Sequence, residues 1–473
     1  DAKGGVINII TKKAKNAKAT VEAAYGSFGK QLYSVAYEGS ENGLDWRLKY
    51  QKDKSNDFKD GHGNQVPSGL DADSVNVHLG KELSKKSYLA FNLRSYKDSS
   101  QYQALWETLK YANTDHLDGN LVWQLQMDDT TKNQMSVSRK LYKYELVTDR
   151  YKAEDLGWKF SDQFDKNFGD HWLTIGVDFT HNKVTAESYG TVAPKGRSIV
   201  NRSFYLQDQW NIVPTLKLIG GIRYDSNSAF GSHTSPSVSL GYDITPRTHA
   251  YVSYSEYFLT PTPGKLYGAF GPNPNLKPET ALNFDLGFEL EKGKTFGKVT
   301  YFHNKVSDLI NGTFDRYEIT HPGPPPIGIR HIKYQNVKEA ILQGIELEAR
   351  QALGNGFSVR GLYTYLDARD GDGKRLPGRP YHKASLQLSY DDAKNGWNAT
   401  LWNDWTAGYR YEEQIGRRKI YKDASLSVLN FVVSKKINDH FSAYLGVDNI
   451  FDKESDVLAY DGRIWRGGVN MTF

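Results

Sequence analysis

Apolar residues in this chain recur at every second position, in stretches of about 10–12 residues, and no continuous apolar run approaches the ~18–20 residues that a membrane helix requires. In 282–290, Leu282, Phe284, Leu286, Phe288 and Leu290 fall on one face, and Asn283, Asp285, Gly287 and Glu289 on the other. In 383–390, Ala384, Leu386, Leu388 and Tyr390 alternate with Lys383, Ser385, Gln387 and Ser389. In 441–451, Phe441, Ala443, Leu445, Val447 and Phe451 alternate with Ser442, Tyr444, Gly446 and Asp448. Period two is the signature of a strand with two unlike faces. The segments are longer than globular strands and match a tilted transmembrane strand. The apolar faces quoted carry no charge, which at mid-membrane would cost about 2–4 kcal/mol.

Composition agrees. Only 38% of residues are hydrophobic, yet aromatics reach 13%, with 31 Tyr, 21 Phe and 10 Trp. Aromatic girdles and polar loops give a barrel this profile. A soluble propeller would show the same alternation, but repeats of four-stranded blades are absent. There is no cysteine, so no disulfide, iron–sulfur or thiolate site can form. The 60 Lys and Arg are interspersed among 55 Asp and Glu, which leaves no basic face for nucleic acid.

Short Gly/Asn/Ser/Pro turns at 40–43, 84–87, 245–248, 353–356 and 393–396 alternate with longer loops near 54–72, 99–115, 185–198, 259–279, 310–338, 367–380 and 409–421. Short turns on one side and long loops on the other predict an all-β fold, a transmembrane antiparallel β-barrel with periplasmic turns and extracellular loops. A count through the chain gives about 22 strands. The sequence opens in mid-pattern on the apolar Val6-Ile7-Asn8-Ile9-Ile10, without an h-region, so a preceding segment is expected.

Several segments resemble TonB-dependent outer-membrane receptors. Gly4-Gly5-Val6-Ile7-Asn8-Ile9-Ile10-Thr11-Lys12 is similar to the last strand of their plug domain. Leu266 to Glu279, ending Asn273-Pro274-Asn275-Leu276-Lys277-Pro278-Glu279, is similar to their long-loop signature. Asn336 to Glu348, with Ala340 and Gly344-Ile345-Glu346, resembles a further barrel strand. Leu376-Pro377-Gly378-Arg379-Pro380-Tyr381-His382, Val447 to Lys453, Gly462-Arg463 and the terminal Phe473 complete the resemblance, in family order over residues 4–473. It implies a plug tail at 1–15 and a barrel at 16–473 in a bacterial outer membrane. It also implies coupling to the inner-membrane TonB complex, contact with outer-membrane lipid and lipopolysaccharide, passage through the barrel-assembly machinery, and a monomer. The expected function is active import of a scarce metal chelate: a ferric siderophore first, cobalamin next, haem third. The alternative from another class is a passive pore or adhesin. No enzyme activity is expected, since nothing marks a Ser-His pair.

Candidate binding residues lie in the long loops. Tyr102, Trp106, Tyr111, Tyr189, Tyr267, Phe270, Tyr317 and Tyr334 could stack on a planar or macrocyclic ligand, or pack loop against loop. Arg410, Arg417, Arg418 and Lys419 could bind an anionic chelate, or lipopolysaccharide phosphates. His321 and His331 flank Pro322-Gly323-Pro324-Pro325-Pro326 and are candidate haem ligands, but the 259–279 loop holds no His of the kind haem receptors carry there. Asp57/Asp60, Asp71/Asp73 and Asp367/Asp370/Asp372 are acidic clusters. Cobalamin receptors hold calcium with such residues, although Asp370-Gly371-Asp372-Gly373 lacks the EF-hand spacing. No intrinsic cofactor is expected beyond such a loop-bound calcium.

Overall fold

The structure is a computed structural model. It describes residues 13–473 apart from 15, 60–62, 64, 103–108, 149–150, 189–190, 193–196, 268–271, 322–326, 416–417, 456–457 and 459. The expected plug tail at 1–15 thus lies outside the described residues, except for Lys13 and Ala14. The Lys13 ammonium sits 3.5 Å above the Tyr88 ring, inside the short-turn end of the lumen.

The wall is a closed antiparallel barrel of 22 strands, each paired with its neighbour in sequence. Closure joins Lys18–Gly26 to Ile464–Thr472, from Thr20↔Thr472 to Gly26↔Arg466. Phe473 donates its amide to the Ala19 carbonyl at 2.9 Å, and Ala19 returns the bond at 3.0 Å. No sheet edge remains open, so every wall amide can find a partner within lipid. At the short-turn end, Asn42 (φ 49°) and Gly43 (φ 72°) form the two-residue turn that matches strand twist.

The period-two reading transfers directly to the wall. Leu282, Phe284, Leu286, Phe288 and Leu290 all point outward and are exposed. On Lys110–Asp128 the exposed outward residues Leu117, Leu121, Trp123 and Met127 define an apolar band, which at strand rise and tilt is about 25 Å tall. Aromatic girdles border it. Phe168, His171 and Trp210 stack at 5.4 Å intervals at the short-turn end. Tyr363, His382 and Trp405 stack near 6 Å at the long-loop end. Asp208, paired with His171 at 2.7 Å, interrupts the band between Leu206 and Trp210, and Arg139 interrupts it between Val137 and Leu141. Arg139 lies 5.2 Å above the Trp158 ring, which shelters it.

Inside the wall, tyrosine rings lie flat against glycines of the adjacent strand. Tyr88 covers Gly80, Tyr205 covers Gly176, Tyr251 covers Gly287 and Tyr444 covers Gly468. A Cβ built on any of these glycines would meet the ring at 2.7 Å or less. The pairing leaves glycine where a ring needs floor space. The remaining lumen face is polar, for example Arg223 between Asp178 (3.1 Å) and Asp225 (3.0 Å).

Three of the expected loops are mostly strand. Ser87–Tyr102 with Lys110–Asp128, Thr295–His321 with Ile327–Gly354, and Trp397–Ile415 with Arg418–Lys436 continue as paired ribbons through 99–115, 310–338 and 409–421. Wall strands run from 8 to 28 residues, against the expected 10–12. The reason is physical. Beyond the apolar band both faces meet water, so the ladder continues while the alternation that reveals it vanishes. One short helix, Pro263–Tyr267, lies in the 259–279 loop, where no helix was expected.

Candidate functional site

The long-loop mouth is built in two sectors, and a third cluster lies beside it on the outer side of the wall. In the first, alternation turns His116, Tyr142, Tyr144 and Tyr151 inward from three adjacent strands, Lys110–Asp128, Thr131–Leu146 and Tyr151–Phe168. His116 meets Tyr142 edge-on at 5.9 Å. Tyr142 and Tyr144 stack at 6.5 Å with planes 6° apart, and Tyr144 reaches Tyr151 at 6.4 Å. Tyr151 is buried with Ala112 and Leu146 and anchors the run. Tyr142 and Tyr144 are half-buried. Asp118 accepts from His116 Nε2 at 3.0 Å. None of these four rings was among the sequence candidates. The signal was Tyr142-x-Tyr144, two rings on the face opposite Leu141.

The second sector is the 259–279 loop, folded onto the tall ribbon Thr295–His321/Ile327–Gly354. Leu266, Leu276, Ile199 and Ile310 are buried together, with Phe230, Tyr267 and Tyr334 packed against them. The Arg197 guanidinium lies 4.6 Å over Tyr267, and the Lys265 ammonium 5.6 Å over Tyr334. The signature residues act as clamps. Asn273 donates to the Tyr334 carbonyl at 2.8 Å. Asn336 accepts from the Lys277 amide at 2.9 Å and donates to the Lys277 and Asp308 carbonyls. Glu279, fully buried, accepts from the Ile310 amide at 2.9 Å. Their side chains close loop onto wall.

A third cluster holds Arg375 and Arg410 on the outward side of the wall, where Arg410, Asp423 and Tyr421 continue the face of Trp405 and Ser427 past the bulge that follows Thr406. Arg375 is buried, stacks 3.5 Å over Tyr381, and donates to Asp423 at 2.9 Å and to the Gly408 carbonyl. Arg410 lies 5.4 Å over Tyr421 and 3.8 Å from the same Asp423. Two guanidinium groups thus share one carboxylate, which leaves the cluster with positive character. Arg375 was not a sequence candidate, because its burial depends on the turn that carries it.

Of the other candidates, Tyr111 sits on the outward face at the end of its strand, exposed, and its amide donates to Thr148 Oγ1 at 2.9 Å. Strand alternation puts it on the far side of the wall from the mouth. Trp106, Tyr189, Phe270 and Arg417, and the side chains of Tyr102, Tyr317, Arg418, Lys419, His321 and His331, lie outside the described residues. The acids each have local partners. Asp71 and Asp73 pair with Lys52, Asp367 pairs with Arg369, and Asp370 caps its own turn through the Asp372 and Lys374 amides. Asp60 lies outside the described residues. Among the described residues, no three His, Asp or Glu side chains converge as a metal site.

Asp57 organises the 56–69 loop. The Ser68 amide, with the Gln65 side chain and the Gly69 amide, holds its carboxyl below the ordinary value of 3.8. A depressed folded pKa contributes order that is present above the ordinary value and lost as pH falls through the depressed one. Amide exchange at Ser68 and Gly69, corrected for intrinsic rates, should therefore lose protection on acidification below the ordinary value. Asp57→Asn should flatten that dependence.

Comparison with known proteins follows this geometry. The family model described as TonB dependent receptor-like, beta-barrel matches residues 14–450. The chain is 26% identical to the vitamin B12 transporter BtuB of Vibrio cholerae serotype O1, over 96% of this chain and 73% of that protein. It is 23% identical to the iron-regulated outer membrane virulence protein of Vibrio cholerae, over 100% of this chain and 77% of that protein. Among solved structures, the copper transporter OprC superposes with a TM-score of 0.81 at 17% identity, covering 98% of this chain and 82% of that one. A ferric enterobactin receptor (PfeA) mutant from Pseudomonas aeruginosa superposes with a TM-score of 0.81 at 17% identity, covering 100% and 83%. The structural likenesses establish the barrel.

Proposed function

Because the chain belongs to the TonB-dependent receptor family, whose members are outer-membrane receptors and transporters and not enzymes, we propose that it imports a scarce metal chelate, a ferric siderophore foremost. Family members bind metal-chelate ligands and TonB. The observation that carries the reading is the run of rings turned inward at the mouth. The run His116–Tyr142–Tyr144 offers ring faces to a planar or aromatic chelate. Arg375 and Arg410, on the outer rim with Asp423 between them, offer charge-assisted bonds to an anionic ligand that approaches from outside. Loop residues Tyr102, Trp106, Tyr189, Phe270, Tyr317, Arg417 and Arg418 are proposed as further contacts. The protein's part is capture and release into a polar lumen. No bond of the ligand is made or broken.

A second cargo, cobalamin, is favoured by one observation: the relatives that cover 96% of this chain at 26% identity are vitamin B12 transporters. Intrinsic Trp fluorescence of the receptor at its full natural length separates the two. Titration with ferric siderophores should give saturable nanomolar quenching, with the metal-free siderophores much weaker. Saturation by cobalamin alone would replace the first cargo with the second. Saturation by haem or a copper salt alone, or by nothing in the panel, would overturn both.

A further inference from the structure

One strip of the lumen wall is pared down almost to its backbone. On Gly231–Thr245 the outward residues Val238, Leu240 and Tyr242 are exposed on the outer face, so Ser235, Ser237, Ser239 and Gly241 are four successive inward positions. None of the four carries more than a hydroxymethyl group. Register widens the strip: Ser237 pairs with Gly221 on one side and Ser255 on the other, and Ser239 pairs with Ser253. Beyond these the inward face returns to larger side chains, Tyr205 and Gln207 before the strip, Tyr251 and Asp285 after it. Its upper part opens into a groove of about 730 Å3. Three buried polar atoms without a hydrogen-bonding partner border the strip: Ser235 Oγ, His233 Nε2 and Asn283 Oδ1. Ser235 is 7% exposed and lines the groove. Asn283 faces Ser255, the residue that faces Ser237. His233 is the inward position above Ser235 and stacks on Phe258 at 4.7 Å. Buried polar atoms nearly always have a partner, so three orphans on neighbouring strands point to one from outside the wall. The charges beside them are already matched. Arg223 lies between Asp178 and Asp225, at 3.1 and 3.0 Å, and Lys159 lies 3.5 Å from Asp178. Two cations and two carboxylates leave no net charge, and recognition falls to hydroxyl and amide hydrogen bonds.

We propose that this strip is the lane by which the imported chelate crosses the lumen, held in passing through hydroxyl and amide groups on its surface. The lane rests on the import reading, whichever chelate is carried. Side chains as long as Tyr205 and Gln207 can reach across to a permanent neighbour. A passing ligand needs the opposite: floor space, with bonding groups that hold it weakly at several points. Gly221, Gly241 and the serines supply the space, as a strand glycine does wherever a ligand comes close. Ser235 Oγ, which can donate and accept, Asn283 Oδ1, which accepts, and the hydroxyls of Ser237, Ser239, Ser253 and Ser255 supply the bonds.

The test compares binding with uptake in the receptor at its full natural length. Ser237→Phe and Ser239→Phe should slow cellular uptake of radiolabelled ferric siderophore or cobalamin about ten-fold. Affinity in the fluorescence titration should stay unchanged, because the mouth is untouched. Gln387→Phe, an inward position on the strand His382–Asp392 of another wall segment, should leave uptake unchanged. Heat-modifiable electrophoretic mobility reports that each variant is folded. The sequence contains no cysteine, so a single thiol in the strip gives one site to follow. Ser237→Cys should react with a small aqueous thiol reagent before any cargo is added. A thiol that stays unreactive would show a resident segment covering the strip, and the lane would be lost. Ser235→Ala removes a hydroxyl that has no partner, so the urea midpoint should not fall. A lower midpoint would give that hydroxyl to a resident water and count against the lane. Uptake unchanged in both strip variants, or lowered equally by Gln387→Phe, overturns it. A wild-type receptor that binds none of these ligands would remove the import reading itself, and the lane with it.

Discussion

Leu286→Arg should destabilise the receptor in a bilayer by about 2–4 kcal/mol, whereas Asp285→Asn, one position away, should cost about 1 kcal/mol or less. Leu286 lies at the middle of Glu279–Lys292 and points outward, exposed, between Val252 and Tyr301 of the flanking strands. A guanidinium there has only hydrocarbon to meet. Asp285 faces the lumen, where water is available, and gives up only the bond it accepts from Ser253 Oγ at 3.2 Å. Urea titrations of refolded receptor in phospholipid vesicles, followed by Trp fluorescence, would measure both. Equal costs at the two positions would mean that the faces are assigned the wrong way round, and the whole inside–outside reading would fall with them.

That contrast shows why the barrel was legible in the sequence. Lipid imposes a rule on every second residue for the full height of the apolar band, and Leu282 to Leu290 obeys it without exception. The same rule located the lumen residues Asn283, Asp285 and Glu289. Legibility stops where lipid stops. From about Asp115 upward on its strand, and through most of Thr295–His321 with Ile327–Gly354, neither face must be apolar. Those segments therefore read as loops although their ladder continues. The cation at Arg139 was equally hidden, because its shelter is Trp158 on the next strand, a pairing that only register reveals. The family signature was legible as a string but not as a mechanism. Asn273, Asn336 and Glu279 look like polar loop residues until the fold shows each one satisfying a backbone group 28 to 61 residues away. The binding candidates suffered most. Loops attract attention because they vary, yet Tyr267 and Tyr334 pack into a small core, and Tyr111 points to the outside of the wall. The rings that converge on the mouth, His116, Tyr142 and Tyr144, sit on strand ends, where distance along the chain gives no hint that they meet.

Replacing both Tyr142 and Tyr144 by Ala should weaken chelate binding about a hundred-fold, with each ring contributing about 1–1.5 kcal/mol through stacking and buried area. The two rings are held parallel by the strand itself, at i and i+2, so little side-chain freedom is lost when a ligand docks on them. Behind them Tyr151, Ala112 and Leu146 form a buried patch against which Tyr144 packs, so the double substitution uncovers part of it. The strand ladder is untouched, and the urea titration separates that loss of packing from the loss of affinity. Tyr142→Phe with Tyr144→Phe keeps both ring faces and should retain most of the affinity. That comparison decides between stacking and hydroxyl recognition. A Phe variant as weak as the Ala variant would transfer the role from the ring faces to the hydroxyl groups. An Ala variant that binds at full strength would move the ligand away from this sector and onto Arg375 and Arg410. There Arg375→Ala would lose its stack on Tyr381 and its bond to Asp423 together, and the fall in affinity should then follow the negative charge of the chelate instead of its aromatic area.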